Sequence, residues 1–311
     1  MRRRQHRIGS IVPGTFAHVI RQFMASPSFT SKAESTRRNW GSMLRLAEEE
    51  SGLGGCSVQV IRPAIIQGFL DALADTPGNQ TIARTALKQV EAFAVVRDLV
   101  PYPFMTGTSV VGSEGGHEPW TFEQVALAEQ HARPDIARVI TLAVNTGQRG
   151  SDIVKMRWSD IEEQDGRQGI NVIQQKTGVR LWIPFAAAFA EHVGTWERKP
   201  PFFLVLKSNG EQYTRPQLST AWYEERDSNE ALKPLKEAGL VLHGLRATAV
   251  VRLRKVGATV LEIASMIGMS EQMVARYSRL ADKTELSLAA VIRLERTAGE
   301  QKSQTHKGSG G

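Results

Sequence analysis

The stretch HGLRATAVVRLRKVGATVLEIASMIGMSEQMVARY, residues 243–277, decides how the rest of the chain is read. His243 and Arg246 are three residues apart, immediately ahead of an apolar-periodic run. On a helix that spacing puts both side chains on one face of the first turn. A helix N-terminus offers unpaired N–H groups and partial positive charge, so with Arg246 the place suits a phosphate. Tyr277 lies near the end of a further helical pattern, and a phenol hydroxyl is a competent nucleophile where the electrophile is held for it. A second reading stands beside this one: His243 caps a helix, Arg246 lies on the surface and Tyr277 packs in a core.

Working outward, the 311 residues are enough for two domains, each with its own core. A hydrophobic share of 41% is that of an ordinary globular protein. No apolar run reaches the roughly 18 residues needed to span a membrane. MRRRQHRIGS at the N-terminus is basic and lacks the apolar core of a signal peptide. The lone Cys56 has no partner for an internal disulfide, which fits a reducing cytoplasm, and its Gly-rich loop has no second cysteine to hold a metal. A net charge of +7 favours a polyanionic partner, nucleic acid being the commonest.

Residues 1–12 form a basic arm carrying Arg2, Arg3, Arg4 and Arg7. Helical periodicity over Phe16, Val19, Ile20 and Phe23 begins a bundle of four short helices over 13–100. The others are expected at 31–50, from Arg62 or Pro63 to Ala74, and at 80–99, with a turn at Thr76-Pro77-Gly78-Asn79. Lys32, Arg37, Arg38, Arg84 and Lys88 are its candidates for a DNA-facing surface. The Gly-, Ser- and Thr-rich segment 101–118 reads as a linker, and 119–298 as a second domain.

In that second domain Thr121, with Glu123 and Gln124, opens a helix, and Asp135 to Val144 continues as another. Arg149 sits at a Gly-flanked turn in TGQRGSDI. Strands are expected at Trp158 to Ile161, at Ile170, Val172 and Ile173, and at Leu181 to Ile183, which puts Lys176 of QQKTG on or near a hairpin tip. Helices near 186–198 and 214–226 flank a strand around Phe202 to Leu206. Residues 284–297 make a last amphipathic helix, and 299–311 a disordered tail.

Arg149 in TGQRGSDIVKMRWSDI, Lys176 in QQKTG, His243 and Arg246 in HGLR, then Tyr277, occur in an order that resembles the tyrosine recombinase, or phage integrase, family. The resemblance covers nearly the whole chain. It implies a mainly α fold with a small antiparallel β-sheet (α+β): a helical, SAM-like core-binding domain followed by a catalytic domain. It also implies a site-specific strand transferase that cleaves and rejoins DNA through a 3′-phosphotyrosyl intermediate, without metal, ATP or other cofactor. Arg149 and Arg246 would neutralise the phosphate oxygens, Tyr277 attack, Lys176 protonate the leaving 5′-oxygen, and His243 orient the phosphate and assist proton transfer. The implied partners are double-stranded attachment sites, three further subunits of the same or a related recombinase, and accessory directionality factors, in the cytoplasm at the nucleoid, for a mobile element.

Two departures stand out. Where the family has a Leu-Gly-His-like element, this chain has Ile267-Gly268-Met269, and the gap to Tyr277 is about one residue shorter; Ala247 follows Arg246 where His is common. Methionine donates no hydrogen bond to phosphate, which leaves Met269 or its neighbour Ser270 as the substitute at that position. A catalytically weak or inactive accessory DNA-binding protein is therefore an alternative. A helix-turn-helix regulator accounts for Val260 to Arg276, but not for TGQRG, QQKTG and HGLR.

Overall fold

The computed structural model describes residues 12–49, 53–111, 117–279 and 291. The arm arginines Arg2, Arg3, Arg4 and Arg7, the tail, and all of the expected helix 284–297 but Val291 lie outside the described residues. The chain divides into two compact units between residues 114 and 115.

The first unit is helical: α1 (Phe16–Ala25), α2 (Pro27–Thr30), α3 (Glu34–Glu49), α4 (Pro63–Asp71) and α5 (Pro77–Val95). The apolar positions that predict α1 are all buried in its core, with Ile66, Leu70, Leu87 and Val90. Pro27 starts α2, because the first helical position needs no N–H. For the same reason the expected turn at Thr76 to Asn79 is the first turn of α5, with Pro77 at its start.

The expected linker needs correcting. Phe104 and Met105 are buried in the first unit's core. The Thr108 carbonyl accepts from Arg84 Nη2 (2.8 Å), and the Ser109 and Val111 N–H groups donate to Gln67 Oε1 (2.9 Å) and Gln80 Oε1 (2.8 Å). A Gly- and Ser-rich composition says nothing of two apolar side chains that bury or of side chains that take up the backbone polar groups.

The second unit opens with α6 (Phe122–His131), where Thr121 and Gln124 form a reciprocal capping box, and α7 (Pro134–Thr146). After α8 (Gly150–Ile153) come β1 (Ile161–Gln164), β2 (Arg167–Ile173) and β3 (Arg180–Pro184). They form one antiparallel sheet in sequence order, with Ile170 opposite both Ile161 and Ile183. Then follow α9 (Ala187–Gly194), α10 (Arg215–Ser228), α11 (Lys233–Glu237), α12 (Gly244–Lys255), α13 (Val260–Ile267) and α14 (Glu271–Ser278).

Of two expected strands, one starts later, as β1 from Ile161, and one is absent. Trp158 lies in a 3₁₀ turn. Phe202 to Leu206 makes only isolated bridges: Leu204 and Val205 are buried, and the Leu204 N–H bonds to the Met156 carbonyl. Its apolar run reflects core burial, not a sheet position. The segment read as helix-turn-helix is α13, Gly268 and α14, and it packs onto α12 through Ile263, Ile267 and Val274.

Candidate active site

α7 stops at Gly147, whose φ of +65° is left-handed and where a Cβ would lie 2.8 Å from the Ile267 side chain. The chain then presents Gln148 and Arg149 before α8. Arg149 Nη1 lies 3.3 Å from Gln174 Oε1 and 4.0 Å from Asp152 Oδ2. The Asp152 carboxylate is wholly buried. Its Oδ1 accepts from the Gln175 N–H (2.8 Å), which ties α8 to the β2–β3 turn, while Oδ2 accepts no hydrogen bond from the described residues.

α12 begins immediately after His243, whose side chain makes no capping bond. Gly244 is required by close approach, since a Cβ would stand 2.3 Å from the Glu118 carbonyl. Arg246 is not on the surface: it is 3% exposed and donates to the Gly147 and Gly268 carbonyls. These carbonyls belong to the C-cap residues of α7 and α13, where unpaired oxygens and the helix dipole carry partial negative charge. That offsets part of the cost of burying a guanidinium. Burial, then Arg149, push the Arg246 pKa down to about 10, with Asp152 and Tyr277 acting the other way, so it stays charged at neutral pH. Burial foremost, then His117, Arg246, Arg215 and Arg149, push His243 down to about 4, which makes it a neutral imidazole at pH 7.

Tyr277 packs in a core, as the second reading expects. Its ring is buried in the α12–α14 core with Ala247, Val250 and Val274, and its hydroxyl lies within the field of Arg246. Lys176 is at the hairpin tip as expected, but it is exposed and forms no hydrogen bond or ion pair with the described residues. The charges of Arg149 and Arg246 thus act on His243, and those of Arg149 and Tyr277 on Arg246, while Lys176 forms no hydrogen bond or ion pair with any of them. Met269 is half-buried against the α12–α14 core, and Ser270 is exposed at the N-cap of α14 without a capping bond.

In the first unit Arg37 and Arg38 on α3 and Lys88 on α5 are exposed, and Lys32 is half-buried. Arg84 differs: it is half-buried and its guanidinium grips the Thr108 carbonyl, so it holds the fold.

Sequence reasoning missed Gln148, Asp152 and Gln174, which surround Arg149, and His117, whose ring centroid lies 5.0 Å from that of His243. The first three stand inside the quoted segments TGQRGSDI and QQKTG, so adjacency was their available signal; His117 and Arg215 lie far from any motif and had none.

Residues 124–284, just over half of the chain, match the phage integrase family. The chain belongs to this family, the tyrosine recombinases. No curated protein matches it. Among solved structures it is similar to a lambda integrase (75–356) dimer bound to a COC′ core site: TM-score 0.70 and 20% identity, covering 85% of this chain and 95% of that one. It is also similar to the Tn1549 transposon integrase with circular intermediate DNA, with a TM-score of 0.65 and 14% identity over 85% of this chain and 94% of that. A third is the XerH recombinase bound to a palindromic difH substrate, with a TM-score of 0.60 and 15% identity over 89% and 94%. At these identities the likeness is one of fold: mostly helical, with the small antiparallel sheet of the tyrosine recombinase catalytic domain.

Proposed function

We propose that this recombinase cleaves and rejoins DNA at specific sites through a 3′-phosphotyrosyl intermediate. The observation that carries the reading is Arg246, buried, charged, and sharing one electrostatic neighbourhood with Arg149, His243 and Tyr277. A phosphodiester repels a nucleophile; two guanidiniums on its non-bridging oxygens remove that barrier and stabilise the charge of the pentacoordinate transition state. The Tyr277 oxygen then forms a bond to phosphorus as the P–O5′ bond breaks. The phenol proton passes to neutral His243, and Lys176 gives a proton to the departing 5′-oxygen. The tyrosyl ester retains the phosphodiester energy, so a 5′-hydroxyl of a second strand reseals the backbone by the reverse step.

Lys176 is exposed on its hairpin tip, where its ammonium would meet the 5′-oxygen of bound DNA. Arg37, Arg38 and Lys88, and the arm arginines outside the described residues, supply backbone contacts on duplex DNA. Lambda integrase has been solved as a dimer on a core site and as a tetramer on a Holliday junction, which supports a tetramer on two attachment sites here. A second reading, a slow recombinase working beside a related subunit, is favoured by the apolar packing of Met269.

The test is a nicked duplex bearing a candidate attachment site, whose cleavage traps a covalent adduct. Wild type should form it, and Tyr277→Phe should bind the same DNA without forming it. An adduct that survives in Tyr277→Phe moves the nucleophile elsewhere.

A further inference from the structure

Gln174 is the residue at which three parts of the site meet. Its side chain is fully buried, and both ends of its carboxamide are used. Nε2 donates to Gln148 Oε1 (2.8 Å) and to the Ile267 carbonyl (2.8 Å). Oε1 accepts from Arg149 Nη1 (3.3 Å) and from the Thr177 hydroxyl (2.9 Å). One planar group therefore touches the turn that presents Arg149, the hairpin tip that carries Lys176, and the C-terminus of α13, where Gly268 gives its carbonyl to Arg246.

The chemistry of these contacts selects an amide. The Ile267 carbonyl is a helix-terminal acceptor that side chains must satisfy, and Gln148 Nε2 also donates to it (3.0 Å). A carboxylate at 174 keeps the two acceptor contacts and loses both donors; an aliphatic chain loses all four. The amide also packs closely on Gly268, where an added Cβ would lie 2.7 Å from Gln174 Nε2. The main chain of Gln174 closes the tip as well: its N–H bonds to the Val179 carbonyl and its carbonyl accepts from the Gly178 N–H. Lys176 itself has no hydrogen bond or ion pair to a described residue. Its reach is therefore set by the turn beneath it, and that turn is held by Gln174 from one side and by Asp152 through Gln175 from the other.

We propose that Gln174 is a positioning residue for strand cleavage, holding the Lys176 hairpin tip in fixed register with Arg149. This rests on the reading of Lys176 as proton donor to the 5′-oxygen. The task assigned to Gln174 is to keep the Lys176 ammonium where the P–O5′ bond breaks, so that its proton passes to that oxygen as the bond electrons leave phosphorus.

Replacing the bridging 5′-oxygen with sulfur separates positioning of the acid from general damage, because a thiolate departs without a proton. Single-turnover cleavage of 5′-oxygen and 5′-sulfur suicide duplexes is measured for wild type, Lys176→Ala, Gln174→Leu and Thr177→Val. Lys176→Ala should raise the sulfur-to-oxygen rate ratio by about 100-fold, the low end for a lost general acid. Gln174→Leu should raise it by about tenfold or more, with DNA affinity kept. A raised ratio in Lys176→Ala with a wild-type ratio in Gln174→Leu overturns the inference and leaves the role of Lys176 standing. A wild-type ratio in Lys176→Ala overturns both. If Gln174→Leu does not fold, Thr177→Val decides: it removes only the hydroxyl that donates to Gln174 Oε1, and an unchanged ratio there overturns the inference.

Discussion

Arg246 on α12 donates a hydrogen bond to the carbonyl of Gly147, two residues ahead of Arg149. The two arginines of the motif, nearly a hundred residues apart in sequence, are thus fixed relative to each other through a helix C-terminus rather than through a carboxylate. A bidentate carboxylate would have occupied the guanidinium fork. Backbone carbonyls engage part of it and neutralise less of its charge.

The charge of that pair predicts the cation requirement. In the proposed reaction Arg149, Arg246 and Lys176 would offer three positive groups to one phosphate, so adduct formation should proceed at undiminished rate in excess EDTA. A strict dependence of the chemical step on added Mg²⁺ would point to a nuclease-type mechanism instead.

His243 predicts a pH dependence of stability. Its pKa in the folded protein, about 4, lies below the ordinary 6.5, so between these values the unfolded chain binds a proton that the folded chain does not. Stability contributed by neutral His243 is fully present above about pH 6.5 and is lost as pH falls towards 4. The charged groups that act on the ring are His117, Arg246, Arg215 and Arg149. His243→Gln should flatten the fall in Tm across that window; an unaltered slope would assign the acid sensitivity to other groups.

Gly268 predicts a stability cost with a functional echo. Its φ is +66°, and a Cβ would sit 2.6 Å from Leu181 Cδ1 and 2.7 Å from Gln174 Nε2. Gly268→Ala should lose about 1–3 kcal/mol, a drop of several degrees in Tm, and slow cleavage beyond what the lost stability explains. A variant that melts with wild type would show that the turn relaxes freely and that the amide is not wedged against it.

Met269 predicts which residue, if either, supplies the missing hydrogen-bond donor. Losing a comparable transition-state donor costs roughly 10²–10³ in rate. If the donor is simply absent, Met269→His should speed single-turnover cleavage while Ser270→Ala has no effect. If exposed Ser270 stands in, Ser270→Ala should slow cleavage and Met269→His change little. No response from either would make Met269 only a packing residue of the α12–α14 core.

The sequence by itself determined the family and most of the elements, because those signals are local. The apolar spacing of α1, the Thr121–Gln124 capping box and the alternation of Ile170 and Val172 each depend on a few neighbouring residues. The order of Arg149, Lys176, His243, Arg246 and Tyr277 is likewise a property of the chain. Where local patterning misled, at Phe202 to Leu206 and at the linker, burial by distant parts of the same unit decided the outcome. Only the tertiary structure decided that Arg246 is buried on two helix C-termini, that Tyr277 is buried in the α12–α14 core, and that Gln174 joins three segments. Those facts depend on which carbonyls are left unpaired where helices end near one another, and no residue pattern along the chain records that meeting.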